Sequence, residues 1–315
     1  MTVFYSTLEQ MAFLFSLILL GYILVKTGIL DGGAAGMLSK LESWLFVPAL
    51  IMGTFISKFT VEILHTAGEI LLFSFAILAV VLPLAFLLPL LCTKDDFKRK
   101  IYTYGLAFSN FGFMGNAVVS ALYPDIFFEY LLFSIPLWIF IYMWGVPVLL
   151  IPNDGEKTTL KDRLKNFVNP MFICMIIGMI LGLTGLKLPD WTMNVIDTCG
   201  DCMSPVAMLL TGMTVAKMDF KKVLSDKSIY AVTAIRLLLI PLAAIAVFYF
   251  LPIPKMFFIC AVCSLAMPLG LNTIVIPAAY GKDTSTASGL ALISHVLACV
   301  TIPLIFVLME TIIAK

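Results

Sequence analysis

Two of the chain's long apolar stretches, each of bilayer-spanning length, are interrupted near their middles by helix breakers and side-chain amides. The first reads Ser109-Asn110-Phe111-Gly112-Phe113-Met114-Gly115-Asn116. The second reads Met267-Pro268-Leu269-Gly270-Leu271-Asn272, with Pro277 a little beyond. Lipid offers backbone groups no hydrogen-bond partner, so a break at that depth survives only where protein or a water-filled cavity satisfies it. Breakers at matching places in the two halves of a membrane chain point to a transport site.

Hydrophobic residues make up 61% of the 315 positions and charged ones 12%. A soluble domain carries roughly a quarter charged residues, so the composition predicts an all-α polytopic membrane protein. At about 20 apolar residues per crossing, ten spans are expected, near 8–27, 36–57, 70–92, 99–122, 128–151, 168–186, 192–215, 228–251, 256–280 and 286–312. The polar stretch 152–167 separates a first five-helix repeat (1–151) from a second (168–315). Fifteen of the twenty Lys and Arg fall in one set of alternate loops and four in the other, while Arg236 falls inside the eighth span. Positive charge collects on the cytoplasmic side. That places 152–167 inside and both termini outside, in a multi-pass protein of the cell membrane. The start of the chain lacks a basic region and cleavage site, so the first apolar run is expected to stay. A net charge of +1 gives no reason to expect nucleic acid.

Five spans per half oblige the second half to enter the membrane inverted. Sequence pairs support this inverted repeat: Val47-Pro48-Ala49-Leu50 in span 2 with Ser204-Pro205-Val206-Ala207 in span 7, and the Pro147 region of span 5 with the Pro303 region of span 10. The interrupted spans are the fourth of each set. Asn110 lies ten residues from Lys100, about 15 Å at helical rise, and Pro268 thirteen from Lys255, about 20 Å from the opposite surface. Both breaks therefore approach the midplane of a core about 30 Å thick.

A helix restarted at midplane exposes unpaired N–H groups with partial positive charge, which suits a carboxylate. Gly112 and Gly115 permit close backbone approach, and Asn110, Asn116 and Asn272 supply donors and acceptors without fixed charge. The alternative is that these residues only help helices pack. Intramembrane ionisable groups are functional candidates by default. Arg236 either holds an anionic substrate, balances a buried acid or snorkels to the cytoplasmic face. Asp197 and Asp201 share a face with Pro205 and are candidates for coupling a cation or proton, or else form a solvated pair at the outer mouth. His295 is either a titrating group or a hydrogen-bonded structural one. Tyr130, Ser134, Trp138 and Tyr142 recur every fourth residue on span 5, as a pocket lining or as packing. Gly178 and Gly182 make a GxxxG face for helix packing or a dimer contact. The Cys199/Cys202 and Cys260/Cys263 pairs sit in apolar runs with two histidines in the whole chain, so they read as packing residues and no metal or other cofactor is expected.

These segments resemble the auxin efflux carrier family: Asn110-Phe-Gly-Phe-Met-Gly-Asn116, the run from Met267 to Gly281, and Val47-Pro-Ala-Leu50. The likeness implies a fold similar to the sodium–bile acid symporters. Spans 1, 2, 6 and 7 would form a scaffold that dimerises, and spans 3–5 and 8–10 a transport domain moving as an elevator, with spans 4 and 9 crossing at the substrate. The family's crossover residues fall on Asn110 and Gly115, and on Pro268 and Asn272. One position departs: where the family commonly has a proline after the second glycine, this chain has Asn116.

The expected function is secondary transport of a small organic anion, a mono- or dicarboxylate such as malate or malonate or an auxin-like acid. Asn110, Gly112, Gly115, Asn116, Pro268, Asn272, Arg236 and Tyr142 are the candidate binding residues. Protons, sodium or the membrane potential alone are the candidate driving forces. The runner-up is a sodium-coupled symporter of larger amphipathic anions. An intramembrane enzyme is disfavoured because no HExxH, GxSxG or aspartate-rich motif is present.

Overall fold

The computed structural model describes residues 2–31, 33–150, 160–165, 167–216, 226–279 and 285–313. Among them the secondary structure is helical apart from one isolated bridge. Six helices are long and apolar enough to cross a membrane: α2 (Ala34–Lys58), α3 (Val61–Cys92), α6 (Pro124–Leu150), α9 (Asp190–Ala216), α10 (Lys227–Phe250) and α13 (Ser285–Ile313, apolar from Thr286). Four shorter apolar helices accompany them: the Ala12–Lys26 part of α1 (Thr2–Lys26), α5 (Phe111–Leu122), α8 (Pro170–Thr184) and α11 (Lys255–Ala266). Three further helices complete the set: α4 (Asp96–Ala107), α7 (Leu160–Lys165) and α12 (Asn272–Ala279).

Helix ends follow local chemistry. Asp95, Asn169 and Asp226 accept backbone N–H bonds from Lys98, Phe172 and Ser228 and so begin α4, α8 and α10. Gly185 ends α8 with φ +64°, a left-handed conformation that glycine adopts without penalty. Prolines punctuate without ending helices. Pro147 lies within a π-helical stretch, Ile141–Leu150, while Pro48 and Pro241 stand two residues beyond the π turns Glu42–Phe46 and Ile235–Leu239. Wider turns accommodate a residue that lacks its N–H.

Packing sorts the helices into two groups. In the first, α1 lies along the second half of α9, while α8 and the first half of α9 lie along α2. Small residues set these distances. A Cβ on Gly21 or Gly212 would collide with the backbone of the facing helix, and Gly178 and Gly182 sit against the α2 backbone at Met52, Phe55 and Phe59. The GxxxG face is thus used within the chain. In the second group α3, α4 and α6 pack together, as do α10, α11 and α13, and α11 also touches α6. Large apolar side chains such as Leu72, Leu91 and Phe250 point outward. Glu42 is fully buried in the first group, and neither carboxylate oxygen has a partner among the described residues.

Candidate functional site: two helix breaks that cross

The helix α4 stops at Ala107 because the chain turns extended at Phe108, and α11 stops at Ala266 because it turns extended at Met267. The two extended segments meet. Ser109 and Leu269 form an antiparallel bridge, and the Asn110 N–H donates to the Pro268 carbonyl at 2.8 Å. Ser109 Oγ donates to the Ser264 carbonyl at 2.7 Å, tying one break to the other. Beyond the crossing, α5 restarts with a π turn closed by Gly115 N–H on the Asn110 carbonyl, and α12 restarts at Asn272.

A helix broken in this way leaves C-terminal carbonyls without intrahelical partners. Arg236 takes them up. Its Nε donates to the Met267 carbonyl at 3.0 Å, Nη1 to Leu106 at 3.0 Å and Nη2 to Ser264 at 3.3 Å. One buried guanidinium therefore caps both α4 and α11, with its positive charge at the negative end of each helix.

On the other side of the crossing lies a narrow recess of about 10 Å³. Its walls are the break residues Ser109–Phe113 and Gly270–Asn272, with Tyr104, Trp138 and Ile141. None of these side chains carries a formal charge. The polar groups are two amides, two hydroxyls and the indole N–H, and the first turns of α5 and α12 open here. Asn272 Nδ2 donates to Tyr104 Oη at 3.2 Å. Asn110 Nδ2 lies 3.2 Å from His295 Nε2. Trp138 leans on Phe111 and stacks on Tyr142, with ring centres 4.9 and 5.9 Å apart. A larger hollow of about 370 Å³ between α3 and α10 is lined by aliphatic side chains such as Val81 and Leu239 and by Phe248. It has nothing to fix a polar ligand.

A family model described as membrane transport protein matches residues 6–306. The chain belongs to that family, the auxin efflux carrier family. It is also similar to an uncharacterized transporter of Methanothermobacter thermautotrophicus, 23% identical over 312 residues that cover 96% of this chain and 98% of that protein. With its apolar helices, the carrier is a multi-pass membrane transport protein.

Of the expected site residues, Asn110, Gly112 and Asn272 line the recess of this transporter. Gly115 stands behind it, where a Cβ would collide with the Tyr130 hydroxyl that donates to the Phe111 carbonyl at 3.0 Å. Pro268 contributes its carbonyl to the crossing. Asn116 is buried, with its Oδ1 unbonded among the described residues, and does not reach the recess. Arg236 does not line the recess, and its nitrogens bond to carbonyls behind the breaks. Tyr142 is also displaced from the lining, as the stacking partner of Trp138. Asp197 borders a separate hollow with Lys58, Asp125 and Glu129, and Asp201 is exposed on α9; neither lines the recess. Tyr104 and Ser109 were not among the expected binding residues. Their signal was available, since Ser109 is part of the interrupted motif and Tyr104 stands on the last turn leading into it.

Proposed function

We propose that the protein is a secondary carrier of small organic anions, mono- or dicarboxylates such as malate or malonate. The observation that carries this reading is the uncharged, amide-bearing recess on which the first turns of α5 and α12 converge. Helix N-termini and amide donors hold an anion without a permanent counter-charge, so the ligand can leave as readily as it arrives. Asn110 and Asn272 are the proposed contacts, with Trp138 against the apolar body of the ligand.

Ten membrane spans in a 5+5 inverted repeat accommodate the helices, with α4–α5 and α11–α12 as the crossing fourth and ninth spans. The glycine-tight group α1, α2, α8 and α9 is the proposed scaffold and dimer-forming unit, and the remainder moves as an elevator. We place the protein in the plasma membrane with both termini outside and the 152–167 segment, largely outside the described residues, in the cytoplasm. Arg236 favours a carrier with no cation site behind the crossing, because its guanidinium already occupies the carbonyls there.

The test is uptake of labelled malonate and malate into proteoliposomes, with and without sodium, by wild type and by Asn272→Ala. Uptake that is sodium-independent and at least tenfold lower in the variant is expected. Equal flux in both proteins would refute the site.

A further inference from the structure

The hydrogen bonds of His295 fix the orientation of Asn110. His295 is buried on α13, and its Nδ1 lies 2.7 Å from the Ala291 carbonyl of its own helix. A carbonyl only accepts, so Nδ1 carries the proton. In the neutral ring Nε2 is then an acceptor. Its partner at 3.2 Å must donate, which assigns that side of the Asn110 amide to Nδ2. The Asn110 Oδ1 is thereby left without a hydrogen bond among the described residues, on a side chain that lines the recess. In this state the recess presents an acceptor where a carboxylate needs a donor.

A proton on Nε2 reverses the arrangement. An imidazolium donates from both nitrogens, so the amide must rotate, offering Oδ1 to the ring and Nδ2 to the recess. The elements packed against α13 carry few other titratable groups in their buried stretches. These are Arg236 on α10, Cys260 and Cys263 on α11 and Tyr102 and Tyr104 on α4, with Cys299 on α13 itself. Of the carboxylates and lysines of these helices, Asp197 and Asp201 stand mid-way along α9, where Asp197 borders the separate hollow with Lys58 and Asp201 is exposed, and the others, such as Glu9, Lys26, Lys255 and Glu310, lie nearer the helix ends. Arg236, the fixed charge among the buried groups, opposes a second cation in the absence of an anion. An anion in the recess offsets that repulsion, so proton and anion favour each other reciprocally.

We propose that His295 and Asn110 form a proton-operated amide switch that makes anion binding at the crossing depend on uptake of one proton. His295 acts as a positioning residue for Asn110. The proposal rests on the carrier reading above and adds the coupling ion.

The experiment uses full-length protein in nanodiscs. His65 is exposed on α3, so a His65→Gln background leaves His295 as the sole imidazole. Nitrogen-15 spectra of histidine-labelled protein report its tautomer directly. Without ligand, a neutral ring protonated at Nδ1 is expected; protonation at Nε2 instead would overturn the assignment. Adding saturating malonate at constant pH should convert the ring to the doubly protonated form, and a ring that stays neutral with malonate bound would overturn the coupling. Malonate affinity in wild type should fall about tenfold per pH unit between about pH 7 and 8.5, as linkage to one proton requires. His295→Gln keeps a hydrogen-bonding amide but cannot titrate, so its malonate affinity should be flat over that range. A pH-dependent affinity unchanged in His295→Gln counts against the switch. Absence of malonate and malate binding at every pH, with the expected tautomer present, would refute the carrier reading and the coupling built on it.

Discussion

Replacing Arg236 by methionine separates a structural cap from an anion contact. The substitution keeps most of the side-chain volume and removes three hydrogen bonds. The three carbonyls do not lose equally. Ser264 retains the Ser109 hydroxyl at 2.7 Å, whereas Leu106 cannot fall back on the Asn110 N–H, which is committed to Pro268. Met267, in extended backbone beyond α11, lies outside helical bonding as well. Two buried carbonyls are therefore orphaned, at about 1–3 kcal/mol each. The centre of that range is about 4 kcal/mol, and relief from burying a charge returns part of it, leaving about 3 kcal/mol. By the scaling for larger chains this lowers the midpoint of thermal unfolding by roughly 6–12 °C. Arg236→Lys supplies one nitrogen where three are used and should fall about midway. The assay is thermal unfolding of purified protein in detergent with matched malonate-binding measurements. A methionine variant that melts within about 2 °C of wild type yet loses malonate binding would refute the cap and restore Arg236 as an anion contact.

Other outcomes follow from single contacts. Gly115→Ala drives a Cβ into the Tyr130 hydroxyl and breaks its bond to Phe111; a loss of about 2–4 kcal/mol is expected in the same melting assay. Asp226 joins the starts of α10 and α4 through Lys98 at 2.7 Å and caps α10. Partial burial raises its pKa, but the Lys98 ammonium and the Ser228 hydroxyl and amide outweigh this and hold it below the usual carboxylate value. A lowered folded-state pKa stabilises above the unfolded value, near about 3.9, and that stabilisation disappears as pH falls through the folded value. Asp226→Asn should therefore melt lower than wild type at pH 7, by about 0.5–1 kcal/mol for a partly exposed pair, and the gap should close as pH falls through the folded-state value. Glu42→Gln removes a charge from a buried site without partners among the described residues. It should melt no lower than wild type; a clear drop would reveal a partner for the carboxylate.

The breaks were legible because proline, glycine and asparagine are conspicuous in an apolar background, and Asn110, Gly112 and Asn272 reached the recess on that signal alone. Arg236 was visible as a buried charge, but its task was not. Its partners are backbone carbonyls 28 to 130 residues away in sequence, and no residue type advertises a carbonyl that lacks a partner. The stripe on span 5 divides in a way that periodicity does not resolve. Trp138 lines the recess, Tyr130 bonds to the break from behind, Ser134 bonds back to Tyr130 and Tyr142 stacks on Trp138. Residues four apart share a helix face, yet here that face meets several neighbours in turn. The Gly178/Gly182 pattern admitted a partner chain or a neighbouring helix, and close approach to α2 decides for the helix.

The crossing also constrains how the protein is made. Partners of the first break stand far down the chain: Arg236 is 130 residues beyond Leu106, and His295 is 185 residues beyond Asn110. At a synthesis rate of about 5–20 residues per second, these arrive roughly 7–40 s after the first break. An open break cannot wait that long in lipid with its carbonyls bare. The two interruptions differ in the needed respect. Residues 108–116 contain no proline, so this stretch can insert as one continuous helix and open later. In the second, Pro268 and Gly270 together disfavour a continuous helix from the outset. The α11–α12 segment is thus disposed to enter already broken and to carry the extended edge on which α4–α5 is unwound, which makes the second break the template for the first.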